Sequence, residues 1–238
     1  MNAVFLNRQE AGNRLASKLT AYQDCPQAIV LGLPRGGVLV AYEIAKSLKL
    51  PFDVCLVKKL GLPGYEETAM GAIVEDALIH DYDGNITIID RNLIQRAKVD
   101  RLQIQAVAAK VKAELRWREH CYRNYRPMLE IKDKIVIVAD DGIATGLTMH
   151  AAVIALRKHQ PQKIVLAIPV ALEKTLRQFV TLVDDIVCLV TPKSMGAVGF
   201  WYEDFSQVSD REVCEVLAKQ SQTSAVSDRR HSKCGMQN

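Results

Sequence analysis

The chain has 238 residues, 49 % of them apolar and 24 % charged, which suits one generous globular domain and excludes disordered, collagen-like and small disulfide-stapled classes. Its formal net charge of +4, from 31 basic and 27 acidic residues, is too small to argue for a polyanionic partner. The longest apolar run, Ile164 to Leu172, contains Pro169 and falls far short of the about 20 residues needed to cross a bilayer, so no transmembrane helix is expected.

The opening Met1 to Arg8 lacks the long apolar region and small-residue cleavage site of a signal peptide, and a cytoplasmic protein without membrane contact is expected. Cysteines at 25, 55, 121, 188, 214 and 234 have no metal-binding or redox spacing. In chain order, Asn7 reads as the cap of a helix to Tyr22, with Ala11, Leu15, Leu19 and Tyr22 on one face. The run Ala28 to Leu31, the loop Gly32-Leu33-Pro34-Arg35-Gly36-Gly37 and the helical pattern Val38 to Leu48 form a strand, a glycine loop and a helix. The unit recurs at Ile135 to Ala139, Asp140 to Gly146 and Leu147 to His159, and more weakly at Ile164 to Ile168 and Ala171 to Val180. With Val54 to Val57 and Ile186 to Val190 the strands number five. Continuous apolar strands alternating with helices predict an α/β domain over 1–220, with a parallel sheet covered on both faces.

Two segments depart from that rhythm. From Asp90 to Arg126 there is neither glycine nor proline, and Leu93, Ala97, Ile104, Val107, Val111 and Leu115 predict one long inserted helix of roughly 25 to 30 residues. Its second half, 101–126, carries net +5, which reads as a solvated face rather than a nucleic-acid surface; the helix would make a natural homodimer contact. Residues 221–238 are polar, nearly without large apolar side chains, and are expected to form a disordered tail.

The stretch 135–148 carries the chemistry. Asp140 and Asp141 stand at the carboxyl end of a buried strand, where open α/β sheets bind ligands. After them Gly142, Ile143, Ala144, Thr145 and Gly146 lead straight into a helix that begins Leu147-Thr148. Backbone N–H groups at such a helix start, with the Thr145 and Thr148 hydroxyls, suit a phosphate, while the carboxylates suit sugar hydroxyls about four residues away. That pairing points to a sugar phosphate; the glycine signatures of nucleoside triphosphate and dinucleotide folds are absent.

This segment resembles the 5-phosphoribosyl-1-pyrophosphate (PRPP) motif of type I phosphoribosyltransferases. Leu33-Pro34-Arg35-Gly36-Gly37-Val38 is similar to that family's pyrophosphate loop. Val57-Lys58-Lys59-Leu60-Gly61 with the segment Pro63 to Ala72, which includes Glu67, is similar to the mobile catalytic loop of a poorly characterised subgroup. Gly199-Phe200-Trp201-Tyr202-Glu203-Asp204-Phe205 resembles the region around its acceptor hood, placed at 192–208.

The resemblance implies transfer of the phosphoribosyl group from PRPP to a nitrogen acceptor, with pyrophosphate leaving through a transition state of oxocarbenium character. It assigns the leaving group to Mg²⁺, Arg35, the loop Pro34, Gly36 and Gly37, and a lysine, with Lys59 preferred over Lys58. Asp140 and Asp141 would take the ribose hydroxyls and meet the metal mostly through PRPP, and the loop Gly142 to Gly146 with Thr148 would take the 5′-phosphate. Glu67 is placed among the substrate contacts, and Trp201 and Tyr202 are offered to a planar acceptor. Ala144 occupies the place of a carboxylate that handles a purine proton in hypoxanthine-guanine members, which disfavours an oxopurine. A PRPP-sensing regulator that binds nucleic acid and a phosphosugar hydrolase are the alternative classes.

Overall fold

The structure, a computed structural model, describes residues 4–75, 85–124, 126 and 128–219, with the backbone alone for Glu67, Glu75, Asn85 and Ile86. Strands β1 (Ala28–Gly32), β2 (Phe52–Val54), β6 (Ile135–Ala139), β7 (Lys163–Val170) and β8 (Asp185–Val190) form a parallel sheet in the order β2-β1-β6-β7-β8. The five-strand α/β expectation is met. One strand is displaced: the expected run Val54 to Val57 spans two elements, β2 ending at Val54 and β3 (Val57–Leu62) beginning a separate sheet.

That second sheet was not anticipated. It joins β3, β4 (Tyr65–Glu75) and β5 (Asn85–Ile89) antiparallel in that order. Thus the loop-like segment 57–72 is a hairpin turned at Pro63 and Gly64, where Gly64 takes φ +79°. The polar residues Lys58, Lys59, Glu66, Glu67 and Thr68 hide the strand pattern, although Leu60, Met70, Ala72 and Ile73 of the hairpin are buried in the two cores.

Alternate residues of the parallel strands face two cores. Val30, Ile137 and Val165 pack with α1 (Arg8–Lys18) and α2 (Gly36–Leu48) through Leu15, Leu19, Val40 and Ile44. Ile29, Leu31, Val136, Val138 and Leu166 pack with α5 (Leu147–Lys158) through Ala151, Ala152 and Ala155. The third expected helix shrinks to α6 (Glu173–Leu176), followed by turns.

The long helix is also corrected. It is two helices, α3 (Arg91–Arg96) and α4 (Arg101–Arg123), separated by Lys98 at φ +53°. Asp100 and Gln103 close a capping box at the start of α4, a start signal embedded in the continuous apolar stripe. At about 1.5 Å per residue, the 23 residues of α4 span about 35 Å. The buried Arg123, 1 % exposed, fastens its end to β2 through Asp53 Oδ1 at 3.4 Å and the Val54 carbonyl at 2.7 Å. Arg118 pairs with Glu114 at 3.0 Å, so part of the basic stripe is spent on internal contacts. A last helix, α7, covers 210–219; the expected tail at 221–238 lies outside the described residues.

Candidate functional site

β6 ends at Ala139, and the next two residues turn out of the sheet beside β1, where the Leu33 N–H donates to the Ala139 carbonyl at 3.0 Å. Asp140 Oδ1 accepts the N–H of Asp141 at 2.8 Å, and Asp141 Oδ2 accepts from Arg8 Nε at 2.8 Å. Each acid thus keeps one oxygen, Asp140 Oδ2 and Asp141 Oδ1, without a protein hydrogen bond among the described residues. The acids are less open than a crevice rim suggests: the Asp141 side chain is 16 % exposed. Burial pushes the Asp140 carboxyl well above the usual carboxylate range, and the neighbouring Asp141 charge adds to the rise; Arg8 and Lys59 oppose it. Burial also raises Asp141, against the pull of Arg8.

Two helix starts flank this pair. The first belongs to α2, whose cap residue Arg35 makes no side-chain capping bond. Here Gly36 and Gly37 are required by close approach. A Cβ on Gly36 would fall 1.9 Å from Asp141 Oδ2, and one on Gly37 would fall 2.7 Å from both Cα and Oδ1 of Asp140. The peptide Pro34–Arg35 is cis.

The second start belongs to α5, capped by Gly146 at φ +82°, again without a side-chain capping bond. A Cβ there would meet Thr175 Cγ2 at 2.9 Å. The buried Thr175 donates its hydroxyl to the Ala144 carbonyl at 2.9 Å, and the Ile143 N–H reaches the Val170 carbonyl at 2.9 Å, so the loop is tied to the end of β7. Uncapped N–H groups and the positive end of a helix make both starts suited to anions. Between Asp140 and α5 lies a cleft of about 190 Å³, lined by Lys59, Asp140 and residues 142–149 with Val198.

The hairpin separates the two lysines. Lys59 lines the cleft, whereas Lys58 pairs with Glu114 of α4, so the expectation for Lys58 is corrected by strand alternation. Arg35 does not line that cleft; its Nη1 is 3.5 Å from Asp210 Oδ2 at the start of α7, and Asp210 Oδ1 accepts from the Tyr122 hydroxyl. Tyr202 is corrected as a stacking residue. Its ring is buried between Phe5 and Phe205, with centroids 5.2 and 5.0 Å away, and its hydroxyl donates to the Asp141 carbonyl at 2.6 Å. Trp201 is half-buried, while Phe200 is 69 % exposed. The Glu67 side chain lies outside the described residues.

Sequence reading passed over Arg8, Thr175 and Asp210. One signal was available for Arg8, since a cation in the first turn of a helix opposes the helix dipole and needs another reason to be there.

A family model described as the phosphoribosyl transferase domain matches residues 5–190. The chain belongs to the phosphoribosyl transferase family. Two Mycobacterium tuberculosis relatives, from strains CDC 1551 and H37Rv and each named "Putative phosphoribosyl transferase", are 39 % identical over 214 residues. The match covers 90 % of this chain and 46 % of each relative, so the chain spans about half the length of these curated relatives. The crystal structure of TT1426 from Thermus thermophilus superposes with a TM-score of 0.74 at 34 % identity, covering 92 % of this chain and 99 % of that one. A phosphoribosyl transferase domain therefore accounts for the parallel sheet, whose middle strand β6 leads into the acid pair. Among the described residues no helix is long and apolar enough to cross a membrane.

Proposed function

We propose that the chain transfers a 5-phosphoribosyl group from PRPP to a nitrogen nucleophile and releases pyrophosphate. The observation that carries this reading is the placement of two free carboxylate oxygens between two uncapped helix starts. A ribose with a phosphate at C5 and a pyrophosphate at C1 has vicinal hydroxyls between two anionic ends, which is the complementary pattern. On this reading α5 and the loop 142–146, with Thr145 and Thr148, hold the 5′-phosphate. Asp140 Oδ2 and Asp141 Oδ1 accept from the ribose hydroxyls, and their negative charge favours the cationic C1 of the transition state.

At the other end, the N–H groups of Gly36 and Gly37 receive the departing pyrophosphate, Lys59 approaches from the hairpin, and Arg35 reaches it on leaving Asp210. The donor set fits Mg²⁺ only with help from the substrate. Among the described residues no group of three or more His, Cys, Asp or Glu is placed to hold a metal, and each of the two acids offers one oxygen. Mg²⁺ commonly combines one or two carboxylates with substrate phosphates and water, so Asp140 and Asp141 would meet it mostly through PRPP. Bound there, it would neutralise charge on the pyrophosphate.

Ala144 brings no carboxylate to the cleft, which favours acceptors other than oxopurines, and the exposed Phe200, two residues beyond the cleft-lining Val198, is offered to a planar acceptor. The domain runs over 1–220 in this proposal, with α3 and α4 as its helical insertion and 192–208 as the hood. The regulator reading loses ground because Arg118 and Arg123 of the basic stripe are engaged internally.

The deciding experiment measures Mg²⁺-dependent pyrophosphate release from PRPP over a panel of nucleobases and small amines, with the Asp140→Asn, Asp141→Asn protein as blank. Release that requires one acceptor is expected. Release without acceptor would make the protein a hydrolase, and PRPP binding without release would make it a regulator.

A further inference from the structure

We propose that Arg8 is the positioning residue of the acid pair: it occupies Asp141 Oδ2 so that Oδ1 is turned to the ribose, and it makes that orientation depend on the segment 198–206. The inference rests on the ribose reading of the acids above, and adds a residue that touches no substrate.

The geometry begins with the N-terminal segment. The N–H groups of Val4 and Phe5 both reach the Trp201 carbonyl at 3.0 Å, and the Phe5 and Leu6 carbonyls accept from Glu203 and Asp204 at 2.9 Å. Asn7 then starts α1 by accepting the Glu10 N–H at 2.9 Å, which makes Arg8 the first helical residue. Its side chain is turned inward, and the residue is only 8 % exposed.

Three contacts fix its guanidinium at once. Nε donates to Asp141 Oδ2 at 2.8 Å, Nη1 donates to the Ser206 carbonyl at 2.9 Å, and the group lies 3.8 Å from the centroid of the Phe205 ring. A planar fork meets the carboxylate, the carbonyl and the ring face in one rigid geometry, which the compact, rotating ammonium of a lysine does not reproduce. The Tyr202 hydroxyl holds the carbonyl of the same Asp141 at 2.6 Å, and a Cβ on Gly36 would fall 2.8 Å from Arg8 Nε. The side chain, the backbone and the open space around Asp141 are therefore all specified by residues that sequence separates widely.

Stability alone does not explain the pair. A buried ion pair is commonly matched or exceeded by apolar residues of the same volume, and a cation in the first turn opposes the helix dipole. What an apolar replacement cannot do is hold a carboxylate oxygen in one place. The same guanidinium touches Ser206 and Phe205, so the hood segment and the ribose acid share one rigid contact.

The test measures calorimetric affinities for ribose 5-phosphate and, separately, for inorganic pyrophosphate. Arg8→Gln is expected to lose ribose 5-phosphate affinity by roughly 10- to 100-fold while pyrophosphate affinity stays within about twofold. Phe205→Leu, which leaves α1 intact, is expected to lose ribose 5-phosphate affinity by about threefold in the same direction. Arg8→Lys should recover only a small part of the loss, and added guanidinium ion should partly restore Arg8→Ala without affecting the natural protein.

Equal losses for the two ligands alongside a fall in melting temperature, with no rescue, would make Arg8 merely structural. Unchanged affinity for ribose 5-phosphate in both variants would equally overturn the proposal. If the natural protein binds no ribose 5-phosphate, the ribose reading itself fails. Arg8 is then judged on crystal structures of Arg8→Gln and Phe205→Leu: a turned Asp141 carboxylate is expected, and an unmoved one refutes the positioning role. Phe205→Leu supplies every readout if Arg8→Gln does not fold.

Discussion

The proposed ribose and leaving-group sides of the site are built on opposite principles. On the proposed ribose side, Asp141 is held by the buried Arg8 at 2.8 Å, by the hydroxyl of the buried Tyr202 and by the absence of a Cβ on Gly36. On the proposed leaving-group side, Lys59 is exposed and Arg35 lies 3.5 Å from Asp210, in a partly exposed pair that surface solvation makes weak. The contrast suits transfer chemistry. A sugar ring has to be held still while its C1 changes charge, whereas groups that receive a departing anion have to move with it.

The largest expected effects come from breaking the rigid side. Asp140→Asn with Asp141→Asn should lower turnover by about 1,000-fold or more in the pyrophosphate-release assay, since it removes two charges aimed at the developing cation. Gly36→Ala tests the packing itself. With only 1.9 Å between the new Cβ and Asp141 Oδ2, the carboxylate must turn, and a fall in kcat/KM of roughly 100-fold is expected, with a displacement of about 1 Å as the cause. If Gly36→Ala keeps full activity, the ribose side is softer than this comparison holds.

The more exposed side should respond in smaller and more selective ways. Lys59→Ala is expected to cut kcat by about 100-fold with ribose 5-phosphate affinity unchanged, whereas Lys58→Ala should stay within about threefold because its partner is Glu114 on α4. Equal effects in steady-state assays would erase the distinction drawn from strand alternation. For Arg35 the sharper variant is its partner. Asp210→Asn should raise pyrophosphate affinity by about two- to fivefold in calorimetry, since a carboxylate that competes for the guanidinium is removed, while Arg35→Ala should lower it by about tenfold. A loss with Asp210→Asn would mean that Asp210 aims Arg35 at the site.

This asymmetry also explains what the sequence could disclose. The rigid scaffold is written in local patterns: Ile135 to Ala139 and Ile164 to Ile168 are unbroken apolar runs, and two acids followed by a glycine-threonine loop mark the end of the first. Their strands and loop stand where that pattern puts them. The contacts that orient the pair are not local, since Arg8 reaches Asp141 across 133 positions, and no spacing rule covers that distance. The hairpin was hidden because its charged residues face either the cleft or α4 and interrupt the alternation of apolar residues. The break at Lys98 was masked because α3 and α4 place Leu93, Ile104 and Val107 against the same core, so one apolar stripe continues through two helices.

The smallest prediction concerns stability rather than rate. The Asp140 carboxyl is raised by burial and by its neighbour, so the folded protein binds that proton more tightly than the unfolded chain does. Between the ordinary carboxylate range and the raised folded value the native state therefore holds the extra proton, and stability falls as pH rises through that window. Above the raised folded value the ionised form is a standing cost, tolerated for its place in the site. Asp140→Asn keeps the acceptor for the Asp141 N–H and removes the charge. It should raise the melting temperature by roughly 2 to 4 °C at the alkaline end of the series, and the gain should shrink as the pH is lowered through the raised folded value, where the natural carboxyl is itself protonated. Thermal melts at several pH values decide it. A variant that melts lower than the natural protein at the alkaline end would show that the Asp140 charge helps to hold Arg8 and Lys59 in place, and would make the acid pair part of the scaffold as well as of the proposed chemistry.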